Sequence, residues 1–339
     1  MATALVTGGS GYIGSHTCVA LMEAGWEVAV LDSLENSSSA AIDGVAAIAG
    51  RGLRLDVGDC RDRSAVERAI AEVSPDAVLH FAGLKSVADS VADPVRYYRH
   101  NLESTSVLLE AMARHGVRRI VFSSSAAVYG RSEELPVPET AMTRPVSPYG
   151  WTKLISEQMI ADVVRADPRW SASLLRYFNP GGAHPSGMIG EDPKGGAANL
   201  MPCLLQVAVG RRAELPLHGT DYSTPDGTAL RDYIHVMDLA EGHLSALEAL
   251  ASSAGGVSVY NLGTGRATSV REAVAAMREA TGHPLPCREL KRRAGDVAEL
   301  WADPGKALVE LGWSAKRTLA DMCRDAWTWQ SSNPQGYRD

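Results

Sequence analysis

The strongest constraint on this chain is the segment Thr7-Gly8-Gly9-Ser10-Gly11-Tyr12-Ile13-Gly14, which follows directly on the short apolar run Ala4-Leu5-Val6. An apolar-periodic stretch continues to about Ala24, so the order is strand, tight turn, helix. Such a turn points unpaired backbone N–H groups at one spot, where the helix dipole adds partial positive charge. Glycines at 8, 11 and 14 let the main chain approach a pyrophosphate without Cβ collisions. Asp32 ends the next strand-like run, where a carboxylate can bind the ribose hydroxyls of an adenosine and would repel a 2′-phosphate. These residues predict a dinucleotide site that favours NAD over NADP.

The first half of the chain repeats this alternation. Strands are expected at 27–31, 53–57, 77–81, 119–123 and 172–177, and helices at 64–73, 95–115 and 149–166. Strand, helix, strand in repetition implies right-handed crossovers and a parallel sheet. The expected fold is α/β: a Rossmann-type doubly wound parallel sheet with a smaller mixed α/β C-terminal substrate domain. Residues 37–39 are taken as a turn. Residues 179–196, dense in Gly and Pro, read as a long ordered loop, which in a compact protein is more often functional than passive. Segments 231–236 and 257–262 are β-like, and the chain is expected to return to the sheet at both. The division expected is 1–179, with returning segments about 231–263, for the nucleotide domain, and 180–230 with 264–339 for the substrate domain.

Composition closes off other classes. Of the 339 residues 45% are apolar and 22% charged, which suits a soluble globular chain. The formal net charge of -7 makes nucleic acid and anionic membranes poor partners. No apolar run approaches the ~18 residues of a membrane span, and no signal-peptide pattern opens the chain. The five cysteines are scattered and not at metal-ligand spacing, so neither a disulfide framework nor a metal is expected. A cytoplasmic location is the expectation.

Tyr149 and Lys153 stand four apart, just after Pro148, which suits a helix start. On a helix they share one face. A free phenol titrates near ~10 and is a poor base at neutral pH. An adjacent ammonium stabilises the phenolate, as would an oxidised nicotinamide ring. Ser123, Ser124 and Ser125 end a predicted parallel strand, where ligands collect in such sheets, and a hydroxyl there can donate and accept.

With the glycine turn, the serine run and the Tyr149/Lys153 pair, the chain resembles the extended short-chain dehydrogenase/reductase family. Longer strings sharpen the resemblance toward its nucleotide-sugar epimerases. They include His80-Phe81-Ala82-Gly83-Leu84-Lys85, Ser123-Ser124-Ser125-Ala126-Ala127-Val128-Tyr129-Gly130, Leu175-Arg176-Tyr177-Phe178-Asn179-Pro180 and Arg231-Asp232-Tyr233-Ile234-His235-Val236. It runs nearly end to end, closing with Pro334-Gln335-Gly336-Tyr337.

The resemblance implies an isomerase that interconverts UDP-glucose and UDP-galactose at carbon 4, through a 4-keto intermediate, with tightly bound NAD. It assigns Tyr149 as base, Lys153 as its electrostatic partner and Ser125 as the hydroxyl at the sugar 4-oxygen. Around NAD it places Gly8, Gly11, Tyr12, Ile13, Gly14, Asp32, Asn36, Asp59, Cys60, Phe81, Ala82, Gly83, Lys85, Tyr149, Lys153 and Phe178. Around the UDP-sugar it places Lys85, Ser125, Tyr149, Asn179, Asn199, Leu200, His218, Arg231, Arg293 and Asp296. Guanidinium forks suit a diphosphate, so the residue reading agrees for the two arginines. It also implies a homodimer through the helices at 95–115 and 149–166. Three residues depart from the family pattern: His100 in place of a common Asn (Asn101 follows), His218 in place of an aromatic residue beside the uracil, and Leu300 at the sugar wall.

Overall fold

Each short apolar run of the first half becomes a strand of one sheet in the computed structural model, which describes residues 1–194, 196–197, 199–252, 254–293 and 296–337. The strands are β1 (Thr3–Thr7), β2 (Glu27–Asp32), β3 (Arg54–Val57), β4 (Ala77–His80), β5 (Arg119–Ser125) and β6 (Ser171–Tyr177), with Gly256–Leu262 as the seventh. Their order is Gly256–Leu262, β6, β5, β4, β1, β2, β3, and every pairing is parallel. Connecting helices are α1 (Tyr12–Glu23), α2 (Ala40–Ala49), α3 (Arg63–Val73), α4 (Val87–Ala92), α5 (Pro94–His115) and α6 (Pro148–Ala166).

Parallel strands covered on both faces must be apolar on both, and two cores result. One packs Val19, Val30, Leu79 and Val121 with Leu239 and Leu247 of the helix Val236–Ala251. The other packs Leu5, Ile70, Leu108, Ile120, Ile160 and Leu174 under α3, α5 and α6. A third cluster, with Leu204, Val274, Met277 and Cys323, holds the C-terminal elements together.

Local signals set the helix ends. Asp93 accepts from the Arg96 N–H and Pro94 follows it, fixing the start of α5, and Gly116 closes it in the left-handed region. Ser147 accepts from the Gly150 N–H, so α6 begins with Tyr149 in its first turn. The turn expected at 37–39 is present and leads straight into α2.

One expectation is corrected. Residues 256–262 rejoin the large sheet against β6, but residues 231–236 do not. Leu230–Arg231 pairs with Thr268–Ser269 and Glu299–Leu300, and Tyr233–His235 pairs with Asn179–Gly181. The outer edge of β6 is filled by Gly256–Leu262, so an earlier β-like segment has no place there. Within the expected loop at 179–196, Asn179–Gly181 is therefore a short strand. Among the described residues no helix is long and apolar enough to cross a membrane, and no His/Cys/Asp/Glu group could hold a metal ion.

Candidate active site

One cavity of about 580 Å³ opens along the C-terminal ends of β1, β2, β4, β5 and β6, and every residue that the resemblance places around NAD or the UDP-sugar lines it. At its floor is the glycine turn. Gly8 has φ +71°, and a Cβ there would lie 2.6 Å from the Ala82 nitrogen. A Cβ on Gly14 would lie 2.3 Å from the Gly8 carbonyl oxygen. Gly11 caps α1 without a side-chain hydrogen bond, so no side chain blocks that helix N-terminus. Asp32 is oriented by three donors, the N–H groups of Ser10 and Leu34 (both 2.9 Å) and the Ser37 hydroxyl (2.8 Å). This cradle fits a dinucleotide pyrophosphate with its ribose at a carboxylate.

Around the cradle, Tyr12 and Ile13 open α1 and Asn36 follows β2. Asp59 and Cys60 follow β3, and Phe81, Ala82, Gly83 and Lys85 follow β4. Asp59 is tied to the Arg61 guanidinium, which holds its carboxyl low, and burial pushes the Cys60 thiol up to about 12. The Tyr12 hydroxyl donates to the Gly182 carbonyl at 2.7 Å. Lys85 pairs with Glu191 at 3.0 Å.

The candidate reactive group sits where β5 ends and α6 begins. Tyr149 is 8% exposed and Lys153 7%. The Lys153 ammonium donates to the Ser123 carbonyl at 2.6 Å and lies 6.0 Å from the centroid of the Tyr149 ring. Burial pushes the Tyr149 phenol up to about 12, with the Ser125 hydroxyl pulling the other way. Burial brings Lys153 down to about 8, with the Glu157 carboxylate opposing. The ammonium and an oxidised nicotinamide ring were expected to pull the phenol down; with the lysine bonded to a main-chain carbonyl and 6.0 Å from the ring centroid, desolvation prevails.

Farther out, Phe178 and Asn179 follow β6, and Asn199 caps the helix Leu200–Ala208. The Arg231 guanidinium donates to the carbonyls of Leu230 (2.8 Å), Val297 (2.8 Å) and Ala298 (3.4 Å), which aims a cation at the cavity without neutralising it. Arg293 and Asp296 lie on the same rim. His218 ends the strand Leu215–His218, its ring within 3.3 Å of the Lys291 carbonyl. Leu300 pairs in register with Arg231 and packs on the cluster of Ala126, Tyr129 and Phe178. His100 faces the cavity beside Glu35 (3.6 Å), whereas Asn101 turns inward and bonds Leu84 and Thr152.

Sequence reading missed Glu191, Tyr177 and Tyr337, which also line the cavity. Tyr337 reaches this wall from the far end of the chain only through folding: its hydroxyl accepts from the Gly190 N–H at 3.0 Å, and its own N–H donates to the Asp192 carboxylate at 2.9 Å. The Gly/Pro density of 179–196 was the available signal for Glu191.

A model of the NAD dependent epimerase/dehydratase family matches residues 4–263. The chain belongs to that family. It is 54% identical over 334 residues to the UDP-glucose 4-epimerase of Bacillus subtilis, covering 98% of each. Its structure is similar to a crystal structure of UDP-glucose 4-epimerase from Bifidobacterium longum in complex with NAD+ and UDP. The TM-score is 0.96 at 50% identity, over 99% of this chain and 100% of that one. A second, from Stenotrophomonas maltophila with bound NAD and formylated UDP-arabinopyranose, has a TM-score of 0.96 at 46% identity over 99% of each.

Proposed function

We propose that this member of the family is a UDP-glucose 4-epimerase that interconverts UDP-galactose and UDP-glucose with tightly bound NAD. The observation that carries the reading is one cavity running from the glycine turn, past Ser125, Tyr149 and Lys153, to Arg231 and Arg293. The names of the full-length relatives agree with it.

Gly8, Gly11 and Gly14 with the N-terminus of α1 would hold the pyrophosphate, and Asp32 the adenosine ribose. Asn36, Asp59, Cys60, Phe81, Ala82, Gly83, Lys85 and Phe178 complete that binding surface. When bound, oxidised NAD supplies the hydride acceptor for carbon 4 and a positive ring beside the phenol. Tyr149 takes the proton of the 4-hydroxyl, directly or through Ser125, and returns it to the 4-oxygen when the 4-keto sugar, having turned, is reduced on its opposite face. Lys153 stabilises the phenolate. Arg231 and Arg293 grip the diphosphate; Asn179, Asn199, Leu200, His218 and Asp296 line the rest, and Leu300 walls the sugar. Inversion requires the hexose to turn while UDP stays fixed, which suits charged groups at one end and apolar walls at the other.

Dehydration is disfavoured, because Ala126 and Ala127 follow Ser125 in a 3-10 turn and neither can move a proton. A homodimer is supported by the exposed apolar side chains Val87, Val91, Val95 and Trp151 on α4, α5 and α6. Sedimentation at twice the chain mass is the expected result. The five free thiols accord with a cytoplasmic site. The division into nucleotide and substrate domains stands as proposed from the sequence, with residues 256–262 as the segment that supports a return to the first.

The test is incubation of the purified protein with UDP-galactose and no added cofactor. UDP-glucose should form, and NAD should appear on denaturation. Absence of both would remove the reading.

A further inference from the structure

The end of β5 is fastened to α6 at three successive points. Lys153 bonds the Ser123 carbonyl, Ser125 lies at the Tyr149 phenol, and between them the Ser124 hydroxyl donates to Glu157. Tyr149, Lys153 and Glu157 recur every fourth residue, so three consecutive serines meet one stripe of the helix. Glu157 and Arg176 are 4% and 6% exposed. Arg176 holds both carboxylate oxygens, at 2.9 and 2.6 Å, and is the register partner of Ser124 on β6. Its remaining donors meet the Tyr129 hydroxyl (3.2 Å) and the Glu139 carbonyl (3.4 Å). None of Ser124, Glu157 and Arg176 lines the cavity.

We propose that Glu157, clamped by Arg176, is a positioning residue: through Ser124 it fixes the register in which β5 delivers Ser125 to Tyr149 and the Ser123 carbonyl to Lys153. This rests on the epimerase reading for its catalytic consequence. A bidentate arginine leaves the carboxylate little freedom, so the serine run inherits a rigid anchor. The same carboxylate, one turn from Lys153, is the one negative charge acting on that ammonium among the described residues. The other groups facing the pair carry no competing charge to it. His80 on β4 is held neutral by burial, Tyr177 on β6 is bonded to Ser123, and Arg176 is spent on Glu157. From α5 the Tyr97 phenol acts on Tyr149, and Asp89 of α4 acts on Tyr97. From β5 the uncharged Phe122 ring lies 4.9 Å from the ammonium.

The experiment compares Ser124→Ala, Glu157→Gln and the double variant Glu157→Gln/Arg176→Met, the last removing the buried cation that the single change would orphan. Each is assayed for kcat and KM with UDP-galactose across pH. The side-chain ¹³C shift of Lys153, assigned with Lys153→Met, is titrated in parallel. Ser124→Ala should lower kcat roughly tenfold, with KM changed less than about twofold and no shift in pH dependence. Glu157→Gln should add a fall of about one pH unit in the Lys153 midpoint and in the alkaline limb of kcat, and the double variant, which also removes the opposing cation, a smaller fall in the same direction. Variants that melt lower yet keep the parent kcat and Lys153 midpoint would overturn the proposal, leaving Glu157 a structural residue. A parent chain with no epimerase activity whose Lys153 midpoint still moves would sink the functional reading and leave the anchor standing.

Discussion

Tyr149 and Lys153 share one helical face, and burial acts on both against their charged forms. If Tyr149 moves the proton, Tyr149→Phe should lower kcat by about 10²- to 10⁴-fold while bound NAD is retained, read by assay and by NAD release on denaturation. Lys153 carries a second, thermodynamic signature. Its folded pKa of about 8 lies below the free value of 10.5, so the unfolded chain binds more protons between those pH values. Stability should therefore rise with pH across that window, the cost of burying the ammonium being fully present below about 8. Lys153→Met should stabilise the chain by about 3 kcal/mol at neutral pH, and the gain should vanish as pH passes 10.5, measured by denaturant melts. The pair itself was legible in the sequence, because an i, i+4 spacing after Pro148 is a local fact. The Ser124–Glu157–Arg176 anchor was not, because its partners come from three separated segments and only packing joins them.

Among the elements, the β1–turn–α1 unit carries the tightest steric demand. A side chain on Gly14 would enter the Gly8 carbonyl at 2.3 Å, against main chain that cannot step aside. Gly14→Val should yield protein that releases no NAD on denaturation and melts at a lower temperature; unchanged NAD content would refute the cradle. This unit was readable because strand, turn and helix are contiguous and each glycine has a local reason. The segment 231–236 was misread for the opposite reason. Its alternation is truly that of strands, but which sheet a strand joins depends on whether an edge is vacant, and Gly256–Leu262 fills that edge. The Arg231 side chain was expected at the diphosphate from the family resemblance, with guanidinium chemistry in agreement; its anchoring by the carbonyls of residues 230, 297 and 298 could come only from the fold.

At the scale of the whole molecule, three of the fully buried histidines make the fold acid-labile. Burial depresses His16 and His80 to about 3 and His243 to about 4, below the free value of 6.5. Each is neutral when folded and charged when unfolded, so stability present above pH 6.5 is lost as pH falls toward those values. At pH 5 each should have withdrawn about 2 kcal/mol, a large share of the ~5–15 kcal/mol that typically holds a folded chain. Melting temperatures should drop steeply between pH 6.5 and 5, and a flat profile there would contradict the burial of these rings. The closing strand of the large sheet has a consequence for biosynthesis. The ribosome makes β6 long before residues 256–262, and every residue of β6 is buried in the finished sheet. In the interval the nascent chain displays a bare, apolar ladder edge of the kind that recruits other chains. The large sheet therefore cannot finish folding as it emerges, and translation must run through most of the chain before β6 gains its second neighbour.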